Sequence, residues 1–170
     1  MLMVRWRRAL APLFLSLLLL VTACGPAEPP SPYAQVQEET TQRGAAPAVA
    51  PDATQGAKFN RFFPASADGY QVVPAQEKKG FAEYKLKRDG KDVAMLAISD
   101  TTGTEATAKF AQSTEKIGGY PAVDQGTQAT AILVGDRYQV KVLSRDDAFT
   151  RADRVAWLQK FDLNGLANLK

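Results

Sequence analysis

Two turn signals, Asp89-Gly90 and Gly135-Asp136, constrain this chain more than any other feature, because each separates two runs of patterned apolar residues. An Asp/Gly pair supplies the positive φ angles that a tight β-hairpin needs. Before Asp89, residues 82–86 alternate, with Ala82, Tyr84 and Leu86 on one face and Glu83, Lys85 and Lys87 on the other. After Gly90, residues 93–99 are apolar on both faces: Val93, Met95 and Ala97 against Ala94, Leu96 and Ile98. Such a strand belongs at the centre of a sheet covered on both sides. Residues 127–134 and 137–144 flank Gly135-Asp136, a pair suited to a type II′ or related turn, and Tyr138, Val140 and Val142 share a buried face. Successive hairpins of this kind make a mainly antiparallel sheet.

The other elements follow from caps and periodicity. Phe59, Phe62 and Phe63 before Pro64 predict a short helix or turn packed on the domain, and residues 70–73 a first strand. Thr104 caps a predicted helix over 104–117, with Ala106, Phe110, Ser113 and Ile117 on one face and Gly118-Gly119 as its stop. Residues 120–123, with Pro121, read as an edge strand. Thr150 and Asp153 form a capping pair for a helix over 150–161, whose Val155, Trp157, Leu158 and Phe161 make an apolar stripe. Leu163, Leu166 and Leu169 predict a last turn on the same core. The expected fold is α+β, about six strands in the order βββαβββα with helices packed on the sheet.

The chain has one cysteine, Cys24, so no disulfide within the chain can stabilise it and the fold rests on its own apolar core. The 113 residues of 58–170 are enough for one such core. Cys24 follows a basic head (Arg5, Arg7, Arg8) and an apolar run over 9–21 that is short for a bilayer span. Val21-Thr22-Ala23-Cys24 resembles the lipobox of bacterial lipoproteins, with small residues at 22 and 23 and valine where leucine is usual. The resemblance implies that 1–23 is a lipoprotein signal peptide and that Cys24 is the lipidation site. At about 0.8 kcal/mol per buried methylene, two or more acyl chains hold a protein stably on a membrane. Gly25, where an aspartate would signal inner-membrane retention, favours the outer membrane in a diderm cell. Residues 24–57, rich in Pro and Ala and poor in large apolar side chains, read as the lipidated cysteine and a disordered linker.

Removal of 1–23 takes away three arginines and leaves 18 basic against 18 acidic residues. The basic pI near 9.0 of the whole chain therefore belongs to the leader, and nucleic acid is not an expected partner. Residues 58–170 carry 17 basic and 14 acidic side chains, whereas the preceding tail is acidic through Glu28, Glu38, Glu39 and Asp52.

The element order is similar to that of the PsbP-like α-β-α sandwich. The stretches Gln76-Glu77-Lys78-Lys79-Gly80-Phe81-Ala82-Glu83, Gly119-Tyr120-Pro121-Ala122 and Gly135-Asp136-Arg137-Tyr138-Gln139-Val140 resemble those of uncharacterised bacterial lipoproteins, cyanobacterial ones among them. The latter resemblance spans most of 58–170. Neither likeness carries an activity or a functional residue across.

Histidine is absent, which excludes Ser-His-Asp and Cys-His catalysis and zinc sites of the usual Cys/His kind. There is no phosphate-binding Gly-rich loop and no EF-hand spacing. Weak catalytic candidates are the pairs Glu77/Glu83 and Glu105/Glu115, and Ser99 or Ser144 beside a buried lysine. Asp146, Asp147 and Asp153 are oxygen donors of the kind a hard cation takes, although capping and nearby arginines account for them more simply. Tyr120-Pro121 with Phe62, Phe63, Trp157 or Tyr138 would line an apolar pocket if these rings were not core. The best candidate binding patch is Lys78, Lys79, Lys85, Lys87, Arg88 and Lys91, set around one hairpin and diluted by Glu83, Asp89 and Asp92. The bland account of that patch is a charged face guarding an edge strand. The expectation is a non-catalytic interaction or accessory module on the envelope membrane, with an envelope protein as partner and no metal or cofactor. The alternative is a carrier of a small molecule or lipid in an apolar pocket between helix and sheet.

Overall fold

Two β-meanders meet side by side in the computed structural model, which describes residues 49–169. Cys24, the 1–23 leader and most of the 24–57 segment lie outside the described residues. A 3-10 helix, η1 (Gly56–Phe62), leads into the first meander: β1 (Tyr70–Lys78), β2 (Phe81–Arg88) and β3 (Lys91–Asp100). The chain then crosses the sheet through a second 3-10 helix, η2 (Glu105–Phe110), to the far edge. It returns inward as β4 (Lys116–Ile117), β5 (Tyr120–Gln125), β6 (Ala129–Val134) and β7 (Tyr138–Ser144). Strand β7 pairs antiparallel with β3, giving one seven-stranded sheet in the order β1-β2-β3-β7-β6-β5-β4. Helices α1 (Arg151–Leu158) and α2 (Leu163–Ala167) close the chain. The class is α+β as expected, with seven strands in place of six.

Both turn signals form their hairpins. Asp89 and Gly90 have φ of 50° and 77°, and Gly135 and Asp136 have φ of 59° and 55°. Positive φ at both central residues is the type I′ pattern, so the second turn is not type II′.

The main core lies on one face of the sheet. Leu86, Leu96, Ile98, Val140, Val142 and Ile132 point into it from the strands, while Phe59 and Phe62 of η1, Trp157 and Leu158 of α1, and Leu166 of α2 cover it. Full burial of each such side chain stabilises the fold by about 2–3 kcal/mol. On the other, outer face a small cluster of Phe110, Ala131 and Leu133 sits under η2.

The helix expected over 104–117 is not formed. Six residues make the 3-10 turn, Ile117 enters β4, and Gly118-Gly119 is the turn between β4 and β5. Burial explains the break. Phe110 packs in the outer cluster and Ile117 in the main core, on opposite faces of the sheet. One straight helix cannot present a single stripe to both.

Strand β1 runs five residues past its expected end, with a register shift between Pro74 and Gln76. Edge position and irregular pairing are where proline is tolerated. Strand β5 is not the edge, because β4 pairs outside it. A second register shift, between Leu86 and Lys87, leaves Val93 unpaired and turns it toward the main core, away from Met95 and Ala97. Helix α1 ends at Leu158, yet Phe161 is still buried through the following turn.

Packing also reaches back before Lys58. Ala53 is buried, and Thr54 is held at both backbone groups: its N–H donates to Asp100 Oδ2 (2.8 Å) and its carbonyl accepts from Gly80 (2.7 Å). The chain therefore enters at the end of the sheet formed by the β1–β2 turn, the end of β3 and the β6–β7 turn. Tyr138 Oη reaches the carbonyl of Leu169 (3.3 Å), so the described C-terminal residues lie at this same end.

Candidate interaction site

The sheet separates the six patch residues into three places. Lys78 and Lys79 lie at the chain-entry end; Lys78 stands over the Phe81 ring and Lys79 donates to the carbonyl of Pro51. Lys85 and Lys87 project from the outer face of β2, as the alternation predicts. Both pair with Asp92, Lys85 at 2.8 Å, so a single carboxylate offsets much of their charge. The side-chain hydrogen bonds from these lysines hold the Asp92 carboxyl below the usual carboxylate range. Arg88 and Lys91 flank the β2–β3 turn at the far end of the sheet. At about 3.3 Å per residue, the eight residues of β2 put some 25 Å between the two ends.

Arg88 and Lys91 line a cleft. It has a volume of about 320 Å³, with Tyr70, Val93 and Phe149 lining it and Arg88, Lys91, Asp89, Asp146 and Asp153 adding charge. The aromatic wall is braced from behind: Tyr70 meets Trp157 edge-on at 5.3 Å and Phe149 at 6.5 Å. Arg88 lies over the Tyr70 ring at 5.1 Å and donates to its hydroxyl at 3.1 Å, which fixes the guanidinium at the rim. Asp153 belongs to the capping box of α1, exchanging hydrogen bonds with Thr150. Those bonds, with a smaller contribution from Arg88, lower the Asp153 pKa. A cleft with an aromatic wall and both signs of charge suits a polar or zwitterionic segment of a partner's surface.

Beside this cleft lies a buried polar network that the sequence did not announce. Arg154 of α1 is 4 % exposed and points into the sheet. It donates to Thr130 Oγ1 (3.0 Å), Ser144 Oγ (2.9 Å) and the carbonyl of Thr127 (3.1 Å). Thr130 passes the chain on to Asp124 (2.7 Å), which also takes Arg151, and Arg151 grips both oxygens of Glu115 at 2.7 Å. These bonds, Glu115 first, raise the Arg151 pKa above the ordinary arginine value. The network seats the α1 N-terminus on β5, β6 and β7, and so places the wall of the cleft.

The remaining candidates disperse. Glu77 binds Asn60 and pairs across from Ala82, whereas Glu83 pairs across from Ala97 on the outer face. Glu115 is engaged by Arg151, and Glu105 lies in the first turn of η2. Ser144 is buried against Arg154, not a lysine, and Ser99 is half-buried in β3. Among the described residues no group of three or more acids gathers as a metal site; Asp146 instead accepts from the Ala148 N–H. Phe62, Trp157 and Tyr138 are core, with Phe63 and Tyr120 packed against it; Phe63 stacks on Tyr84 at 4.0 Å and Tyr138 meets Phe59 at 5.7 Å. These rings belong to the main core or pack against it.

Tyr70 and Phe149, which make the cleft, were missed as site residues. Their approach depends on the β3–β7 pairing, Ala94 opposite Ser144, which brings the segment after β7 beside the β2–β3 turn. No short-range signal encodes that pairing.

No family model, curated protein or solved structure matches the chain.

Proposed function

We propose that the chain is a lipid-anchored bacterial envelope lipoprotein whose exported domain is a non-catalytic interaction module. The lipobox-like Val21-Thr22-Ala23-Cys24 supports the anchor, with Cys24 as the acylated residue and the outer membrane as its place in a diderm cell. Among the described residues no helix is long and apolar enough to cross a membrane. One observation carries the rest: the chain enters the domain at one end of the sheet and the Arg88–Lys91 cleft opens at the other. A tethered module built this way offers its cleft away from the attachment point to another envelope protein. The cleft is open and rimmed by both signs of charge, which favours a protein surface over a small apolar cargo.

The test has two arms. Cys24→Ala is expected to move the protein from the membrane to the soluble fraction; unchanged membrane retention removes the anchor. Cross-linking in intact cells from a photoreactive side chain at Lys91 is expected to capture one envelope protein. The same reagent at Lys58, on η1, should not, and equal capture from both positions would dismiss the cleft.

A further inference from the structure

We infer that residues 64–69 form a cap that closes the free edge of β1 against strand pairing with a second copy of the chain. The inference uses neither the lipid anchor nor the cleft.

This edge invites pairing. Strand β1 is the outermost strand of the sheet, nine residues long, and begins with Tyr70-Gln71-Val72-Val73, a run rich in strong strand formers. Val73 is 38 % exposed. A long edge strand presents a row of N–H and C=O groups on which another chain can build a ladder. The opposite edge is already short, because β4 has two residues. Beside it the Ala122 N–H donates to the Glu115 carbonyl (3.0 Å) and Ser113 Oγ donates to the Ala122 carbonyl, which covers the outer side of β5.

The chain folds back along the β1 edge just before the strand begins. Asp68 and Gly69 have φ of 57° and 79°, the same type I′ pattern as the two other Asp/Gly turns, and Ala67 bridges Tyr70 antiparallel. The Tyr70 N–H donates to the Ala67 carbonyl at 2.9 Å. Alternation makes Val72 the next residue whose N–H points outward. It donates to Ser66 Oγ at 2.9 Å, so a side chain ends the ladder that Ala67 starts. Pro74 is the third outward position and has no N–H. Between Tyr70 and Pro74, then, every outward N–H is either taken or absent. Past Pro74 the register shift breaks the regular spacing, and the exposed Gln76, Glu77 and Lys78 follow. The cap is fastened at both ends. Pro64 is buried, Phe63 stacks on Tyr84 of β2, and Lys160, just after α1, pairs with Asp68 at 2.9 Å.

Two copies meeting at this edge would pair antiparallel about Val72, with Tyr70 of one against position 74 of the other. The variant S66A/P74V frees the Val72 N–H and gives position 74 an N–H of its own. Ser66 and Pro74 are both exposed, so the core is left as it is. The test uses the chain from residue 24 with Cys24→Ala, which keeps acyl groups out of any association. In sedimentation velocity the parent should stay a monomer as concentration rises, whereas S66A/P74V should shift to twice the mass. Amide hydrogen exchange on the parent reads the cap directly: Tyr70 and Val72 should exchange about tenfold more slowly than in an unstructured chain, despite their place on a free edge. A double variant that stays monomeric with the parent's melting temperature would overturn the proposal. So would a parent dimer paired through β1, or a Val72 amide that exchanges in the parent at the unstructured rate. The exchange arm needs no variant, so it decides the matter even if S66A/P74V fails to fold.

Discussion

Asp100 is the residue on which the chain-entry end depends. Its carboxylate is fully buried and accepts from Arg137 Nη2 (2.8 Å) and Nε (3.1 Å), from Thr102 N and Oγ1, and from Thr54 N. Burial by itself would raise its pKa, but these hydrogen bonds together outweigh it and hold the carboxyl well below the usual range. A depressed carboxylate contributes its stability in full above its unfolded pKa, near 4, and loses it as pH falls toward the folded value. Asp100→Asn should therefore cost about 2 kcal/mol in urea denaturation at neutral pH, discounted because Arg137 is partly exposed. The gap between parent and variant should shrink as pH drops below about 4; a gap independent of pH would contradict this role. Arg154 is the counterpart at the cleft end. Arg154→Ala leaves Thr130 and Ser144 without their donor in a buried setting and should cost about 3 kcal/mol in the same measurement.

At the scale of elements, η2 shows what local pattern conveys and what it does not. Its N-cap was readable: Thr104 does accept from the Ala106 N–H. Its length was not, because 3.6-residue spacing put Phe110 and Ile117 on one stripe while the sheet sends them to opposite faces. Phe110→Ala removes the one aromatic ring among the described residues of the outer cluster and should cost about 3 kcal/mol by thermal or urea unfolding. A cost under about 1 kcal/mol would mean that η2 is not packed as described. The hairpins and the capping box of α1 were legible because Asp-Gly pairs, strict alternation and Thr150 with Asp153 act within a few residues. The two register shifts were not, and Val93 changed faces as a result. The β3–β7 pairing joins residues 38 to 50 positions apart, and the approach of Tyr70 to Phe149 depends on it, whereas the Arg154 network closes within residues 115–154. The candidate patch was thus identified by charge but separated by topology, with Arg88 and Lys91 at the cleft.

For the whole molecule, the polarity of the sheet ties the observations together. One end receives the chain through Thr54, Asp100 and Arg137; the other carries the cleft and the seated N-terminus of α1. A module anchored at Cys24 would use the first end for attachment and the second for its partner. Native mass spectrometry of the protein, gently extracted from its own membranes, tests this most directly. The account predicts a chain that begins at Cys24, carries acyl groups and retains a second protein that is lost in the R88E/K91E variant. A chain without acyl groups would contradict the anchor, and a partner retained unchanged by that variant would contradict the cleft.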